Sequence, residues 1–427
     1  MSEPEARLGF WSCWSLTVGI MIGSGIFLLP AVLAPFGRLS FGGWAVTTTG
    51  AIALALVIAR LASRTQRSGG VYAYAHDAFG PMPGFLVAWG YWAAYWIALP
   101  AMALAFVGYL GVFFPVLDAS PPLQAATCLA AIWGVTLVNI AGIREAGWLQ
   151  ITTTCLKLIP LLLVIGAGTF AGDLSRIPDA GTTDVSPLGA VAATALLTMW
   201  AFSGLEAGAL PAAEVAEPER TIPRAILTGT LTVAAIYVGG TLAVMSLVPA
   251  EQLAASTAPF AEAARVLGPW GPGLIAAGAI VSTLGALNGT VFITGQLPLA
   301  LAMDGLAPNA LTARNRVGAP GRSLILGSSL ASVLLLTNYF RDFFDLFTFL
   351  INMSTTAILV PLFVSAAAEL RHDLSRARGW AGAAGLALLY TIFTILGSGT
   401  EILLWGVLLF ALGIPAFFLS RRAHPEV

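Results

Sequence analysis

The chain has 427 residues, 58% of them hydrophobic and only 10% charged, with a mean hydropathy of +0.86 and a formal net charge of −1. Soluble domains carry about 25% charged residues, so these figures exclude a soluble fold and indicate one polytopic membrane protein. The charge is balanced and forms no basic block, which excludes nucleic acid as a partner.

A bilayer-crossing helix needs roughly 20 mostly apolar residues. In chain order the charge-free or nearly charge-free stretches are 8–37, 39–59, 78–117, 119–143, 146–172, 185–212, 225–250, 266–303, 323–340, 346–368, 379–400 and 402–420. Twelve spans are expected. The runs 78–117 and 266–303 exceed one span but leave no room for a second with a polar turn. Each is read as one long tilted helix with amphipathic flanks. The first stretch is not read as a signal peptide, since its apolar run far exceeds roughly 7–15 residues and Gly37-Arg38 has no small-residue cleavage pattern. With both termini cytoplasmic, fifteen of the nineteen arginines fall inside, and only Arg38, Arg176, Arg265 and Arg341 fall outside. The positive-inside rule therefore expects an integral inner-membrane protein with both termini in the cytoplasm.

The first span is interrupted by Gly23-Ser24-Gly25, between Met21-Ile22 and Ile26-Phe27. Each glycine weakens a helix by about 1 kcal/mol relative to alanine, so local unwinding at mid-depth is expected. Close packing through a small-residue face is the alternative. The sixth span has a matching weak point at Phe202-Ser203-Gly204. Spans one to five and six to ten then form two sets of opposite orientation, each opened by an interrupted span. That arrangement is the signature of a secondary transporter with its site at the midplane, where unwound backbone lines a cavity. The half-helix beginning at Gly25-Ile26 offers N–H groups and a positive dipole end to a carboxylate. The half-helix ending near Trp200–Phe202 offers carbonyls to an ammonium. An amino-acid zwitterion fits both.

Two ionisable residues lie well inside the spans: Lys157, the only lysine, in the fifth, and Glu206 in the sixth. Each costs about 2.5–3.5 kcal/mol to insert centrally, which argues for function. Counted from Gly147, Lys157 lies about 15 Å deep, too far for easy snorkelling, which is its alternative. The alternative for Glu206 is a structural hydrogen bond across the broken helix. Cys13, Cys128 and Cys155 share no metal-ligand spacing, and His76, His372 and His424 lie in short polar segments. No metal centre, cofactor or enzymatic nucleophile–base set is expected, nor the charged ring of a channel.

The runs Val18–Pro30, Ser68–Gly80, Ala201–Glu206 continuing through Glu214–Ala225, and Asn288-Gly289 resemble, in order, motifs of the amino acid–polyamine–organocation (APC) transporters. The resemblance extends from about Gly9 to Leu419 and looks closest to bacterial arginine/agmatine antiporters. It implies an all-α polytopic membrane protein with 12 transmembrane helices. These form a five-plus-five inverted repeat with broken helices 1 and 6, followed by two C-terminal helices. Residues 1–427 would form one transporter domain, with 8–172 as the first repeat, 185–368 as the inverted second repeat and 379–420 as helices 11 and 12.

Carried over by residue, the resemblance implies a carboxylate cradle at Ser24 and Gly25, with Gly23 of the unwound segment also among the substrate-binding residues. Ammonium-binding carbonyls would lie at Met21, Trp200 and Ser203. It also implies an aromatic lid at Trp200, a pH-linked acid at Glu206 and a polar pocket residue at Ser354. Ile20, Tyr95, Leu99 and Thr290 depart from the arginine/agmatine pattern and offer little to a guanidinium. Lys157 matches a lysine of proton-coupled and neutral amino acid transporters in the superfamily. It is expected within reach of the carbonyls near Ile22-Gly23, linking a proton to the cradle. The function implied is amino acid transport by alternating access, proton-coupled or exchanging. Neutral amino acids are the first choice and cationic amino acid/polyamine exchange the second. The expected partners are a small-molecule amino acid, protons and the lipid bilayer, and a homodimer is allowed for.

Overall fold

The structure is a computed structural model that describes residues 9–64, 70–142, 147–179, 181–183, 185–206, 215, 217–373 and 380–423. His424, Ser68-Gly69, Glu214, the arginines at 7, 67, 144, 376 and 378, and the side chains of Cys155, Arg421 and Arg422 lie outside the described residues.

Sixteen α-helices are present among the described residues. They are α1 (Phe10–Met21), α2 (Gly25–Leu33), α3 (Leu39–Arg64), α4 (Val71–Phe79), α5 (Pro81–Gly111), α6 (Pro121–Ile140), α7 (Gly147–Ala171) and α8 (Pro187–Phe202). After these come α9 (Pro218–Leu247), α10 (Ala250–Ala254), α11 (Pro259–Ala263), α12 (Gly271–Met303), α13 (Gly321–Asn338), α14 (Phe343–Asp373), α15 (Ala381–Leu396) and α16 (Thr400–Ala423). Proline opens α5, α6, α8, α9 and α11, where its missing N–H costs nothing. Seven helices are long and apolar enough to cross a membrane: α3, α5, α6, α9, α12, α14 and α16. Taken together as one broken span, the pair α1 and α2, bent by 42° at its break, would make an eighth among the described residues. Helices α8, α15 and the part of α7 from Lys157 onward are apolar but shorter.

Both long apolar runs are indeed single helices, α5 of 31 residues and α12 of 33. Two regions depart from the sequence expectation. The segment after the second span, which falls between the apolar stretches 39–59 and 78–117, is helical from Val71 to Phe79. A single residue, Gly80 at φ +93°, turns it into α5. That left-handed conformation suits glycine alone among common residues. The connection after α9 also carries two short helices, α10 and α11, started by Pro249 and Pro259.

The helices pack as two groups. In one, α3 lies against α8 and α9, and α1 against α9. In the other, α5, α6, α12 and α13 pack on one another. Short hydroxyl ladders stitch each group internally. Thr47 and Thr198 share a hydrogen bond of 2.7 Å between α3 and α8. Thr136 and Ser328 share one of 2.7 Å between α6 and α13, and Asn139 donates to Asn288 at 2.8 Å between α6 and α12. Such bonds, with small residues between, hold helices together where no hydrophobic effect separates them from lipid. Helix α14 packs on α5 and α15. At its end the buried Glu369 carboxylate pairs with Arg60 at 2.7 Å and Arg64 at 3.1 Å on α3.

Candidate functional site

The first break opens where Ile22 leaves the helix at φ −78°, ψ 90°, and helical geometry resumes at Ser24. The second opens where α8 ends at Phe202, with Ser203 extended and Gly204 at φ +95°. The two breaks touch. A Cβ placed on Gly204 would lie 2.5 Å from Ile20 Cγ2. One placed on Gly25 would lie 3.1 Å from Trp200 Cδ1 and 3.3 Å from Ala201 Cα. The absence of side chains at Gly25 and Gly204 is what lets the broken helices approach this closely.

Ile20, Met21, Gly23, Ser24, Gly25, Tyr95, Trp200, Ser203, Thr290 and Ser354 all line one small cavity of about 40 Å³ at this junction. Ala94, Ala98, Met102 and Ile358 complete it. Ser24 and Gly25 stand at the start of α2, where the first N–H groups of a helix have no partner within it. The hydroxyls of Ser24 and Ser203 are buried without a hydrogen-bond partner among the described residues. A buried hydroxyl left so costs free energy, and a polar ligand would satisfy both. Ile20, Ala98, Met102 and Ile358 supply apolar lining. The Thr290 hydroxyl turns to Met102 Sδ at 3.3 Å.

Some predicted roles are altered by neighbours that the sequence did not disclose. The Met21 carbonyl accepts the Tyr237 hydroxyl at 2.5 Å, leaving it one lone pair for any ammonium. The Trp200 carbonyl accepts the Ser203 N–H at 3.2 Å. Ser354 lines the cavity, but its hydroxyl donates to the Ala94 carbonyl at 2.7 Å and so ties α14 to α5. Leu99 is fully buried and lies outside the cavity wall.

Glu206 is buried and does not line the cavity. One of its oxygens accepts hydrogen bonds from Tyr91, a very short one, and from Tyr95 at 3.4 Å, while the other has no partner among the described residues. Tyr91 and Tyr95 also share a hydrogen bond of 3.1 Å, one helical turn apart on α5. Tyr95 is therefore the only link between the acid and the cavity among these contacts. The i, i+4 tyrosine pair inside an apolar run was a signal for this network, because each hydroxyl needs a buried acceptor.

Lys157, also buried, hydrogen-bonds the Gly19 carbonyl at 3.2 Å. This is one helical turn before the Ile22-Gly23 carbonyls expected for it. At Gly19 α1 is still intact, so this bond grips the helix one turn below the break. Thr154 repeats the link one turn back, donating to the Ser15 carbonyl at 3.3 Å. Lys157 lines a second cavity, of about 540 Å³, between α1, α6, α7 and α12. Among the described residues no group of three or more His, Cys, Asp or Glu side chains is placed to hold a metal.

Comparison with known proteins gives the same picture along the whole chain. An arginine/ornithine antiporter of Pseudomonas aeruginosa is 32% identical, covering 100% of this chain and 92% of its own length. A cadaverine/lysine antiporter of Escherichia coli is 32% identical over 86% of this chain and 84% of its own. A putrescine transporter of the same species is 30% identical over 97% and 96%. These relatives are transporters rather than enzymes, and this chain, with its row of apolar helices, is an integral membrane protein. Residues 8–422 match the family described as amino acid permease, and the chain belongs to that family.

Proposed function

We propose that the protein is a secondary transporter of amino acids that works by alternating access, with its substrate held at the junction of the two broken helices. The observation that carries this reading is the convergence of both breaks on one cavity with two unpartnered buried hydroxyls, Ser24 and Ser203. The carboxylate sits at the start of α2, and the ammonium sits among the carbonyls of Met21, Trp200 and Ser203. Trp200 covers the bound zwitterion. Twelve spans follow when α7, α8, α13 and α15 are counted with the eight already described. They divide into the repeats 8–172 and 185–368 and the final pair 379–420, with both termini in the cytoplasm.

For the substrate side chain the cavity supports a neutral amino acid, since Ile20, Ala98, Met102 and Ile358 offer no charge. A second reading, exchange of cationic amino acids or diamines, is favoured by two observations. The relatives named above handle arginine, ornithine, lysine, cadaverine and putrescine. Glu206, with one unpartnered oxygen, lies directly behind Tyr95, so a small swing of that ring would bring a distal cation to the carboxylate. Counterflow in proteoliposomes loaded with a panel of labelled amino acids and amines tests both. Exchange of neutral amino acids ahead of arginine and diamines supports the first reading. The reverse order establishes the second, and no saturable counterflow with any solute rejects both.

A further inference from the structure

The larger cavity holds polar chemistry that the central site does not use. It lies beside the intact half of the first span. Its wall includes the Lys157 ammonium, the Asn288 carboxamide and the Gln296 carboxamide. The Asn288 oxygen is occupied by Asn139, which turns the Asn288 amide NH₂ away from that contact and leaves it as a donor. Asn139 and Thr290 line it as well, so one cation, three carboxamide residues and one hydroxyl residue stand in an otherwise apolar wall, a set that suits an anion of modest size. No acidic side chain is among the lining residues.

The cavity also adjoins the central site, with Ile20 and Thr290 belonging to the walls of both. At about 540 Å³ it accommodates a whole amino acid, whereas the central cavity has closed to about 40 Å³. The Asn288-Gly289 motif lies here, and its glycine explains the space. A Cβ on Gly289 would meet nothing within 4 Å, and one on Gly285 would meet Lys157 at 3.5 Å.

We propose that this cavity is a second binding site, which takes the carboxylate of an amino acid passing between the central site and the solution. The proposal rests on the transport reading above. The carboxylate sits between Lys157, Asn288 and Gln296, with the rest of the molecule along the Gly285 and Gly289 face of α12.

The test is saturation-transfer NMR on the purified full-length protein, with butyrate and butylamine as separate probes, so that it reads binding without transport. The expected result is a butyrate signal and no butylamine signal. Gly289→Phe, which fills the cavity, should abolish the butyrate signal. Asn288→Leu and Gln296→Leu should each weaken butyrate binding about tenfold, the worth of one hydrogen bond to a charged group. Gly25→Val, which obstructs the central cradle, should leave the signal intact. Absence of butyrate binding to the wild type overturns the proposal, as does binding that survives both Gly289→Phe and Asn288→Leu. Loss of the signal in Gly25→Val alone assigns the butyrate to the central cradle and overturns it too. If Gly289→Phe does not fold, the two leucine variants decide. Butyrate binding without counterflow of any amino acid would reject the transport reading and leave this site standing.

Discussion

Tyr109, at the far end of α5, is fully buried and makes two hydrogen bonds with one hydroxyl. It donates to the Phe27 carbonyl of α2 at 2.8 Å and accepts the Phe260 N–H of α11 at 3.1 Å. Phe260 lies in the first turn of α11, where backbone N–H groups lack helical partners, so the tyrosine caps that helix from outside. The three rings pack edge to face, with Phe27 5.5 Å from Tyr109 and 5.7 Å from Phe260. Because α2 packs on α8 and α9, in the group opposite α5, the alternating access proposed above requires this contact to part when the two groups separate. The contrasting bond, Tyr237 to Met21, joins α9 to α1 within one group and should persist. Tyr109→Phe keeps the rings and removes both hydrogen bonds. At about 1 kcal/mol net each, the closed arrangement loses about 2 kcal/mol, which is roughly 30-fold in the opening equilibrium. Hydrogen–deuterium exchange of peptides covering Pro259–Ala263 reads this directly, as faster exchange confined to that region. Unchanged exchange in a folded Tyr109→Phe protein would refute the latch. Equal acceleration throughout the molecule would reduce it to a loss of general stability.

Other substitutions separate the parts of the site. Gly25→Val must displace the Trp200 indole, which stands 3.1 Å from the new Cβ. It should cost about 1–3 kcal/mol of packing, insert normally and bind no amino acid at the central site, and retained substrate binding would sink the cradle assignment. Trp200→Leu should cut the counterflow rate at least as strongly as affinity, because a lid that completes the closed state limits turnover; unaltered counterflow would leave the indole a packing residue. Lys157→Ala removes the bond to the Gly19 carbonyl and should lower transport more than substrate binding, whereas wild-type transport would dismiss it as a coupling group.

The breaks were legible because their causes are local. Gly23-Ser24-Gly25 and Phe202-Ser203-Gly204 carry their own conformational weakness, and no distant residue is needed to open them. The residues flanking them meet in one cavity for the same reason. Roles that depend on a partner from another helix were less legible. Ser354 and Met21 looked available to a ligand, and only the fold brings the Ala94 carbonyl and the Tyr237 hydroxyl against them. Lys157 was recognised by its cost in lipid, but its register against α1 is set by helix packing, and its bond to Gly19 falls one turn below the break. The short helices α4, α10 and α11 went unread because nine residues or fewer hold too little periodicity to stand out beside long apolar runs.

The length of α5 and α12 has a consequence for the medium around the protein. At 1.5 Å per residue their 31 and 33 residues extend about 46 and 50 Å, against a hydrocarbon layer of about 30 Å. Their ends therefore stand among the headgroups, and any change in bilayer thickness is met by a change of tilt. Between them they carry Tyr95, Ala98 and Met102 on one wall of the central cavity and Thr290 on another. Tilting these two rods alters the gap between those walls. Acyl-chain length thus acts on the proposed binding cavity as a mechanical load, and proteoliposomes of short-chain and long-chain lipid will differ in apparent affinity as well as in rate.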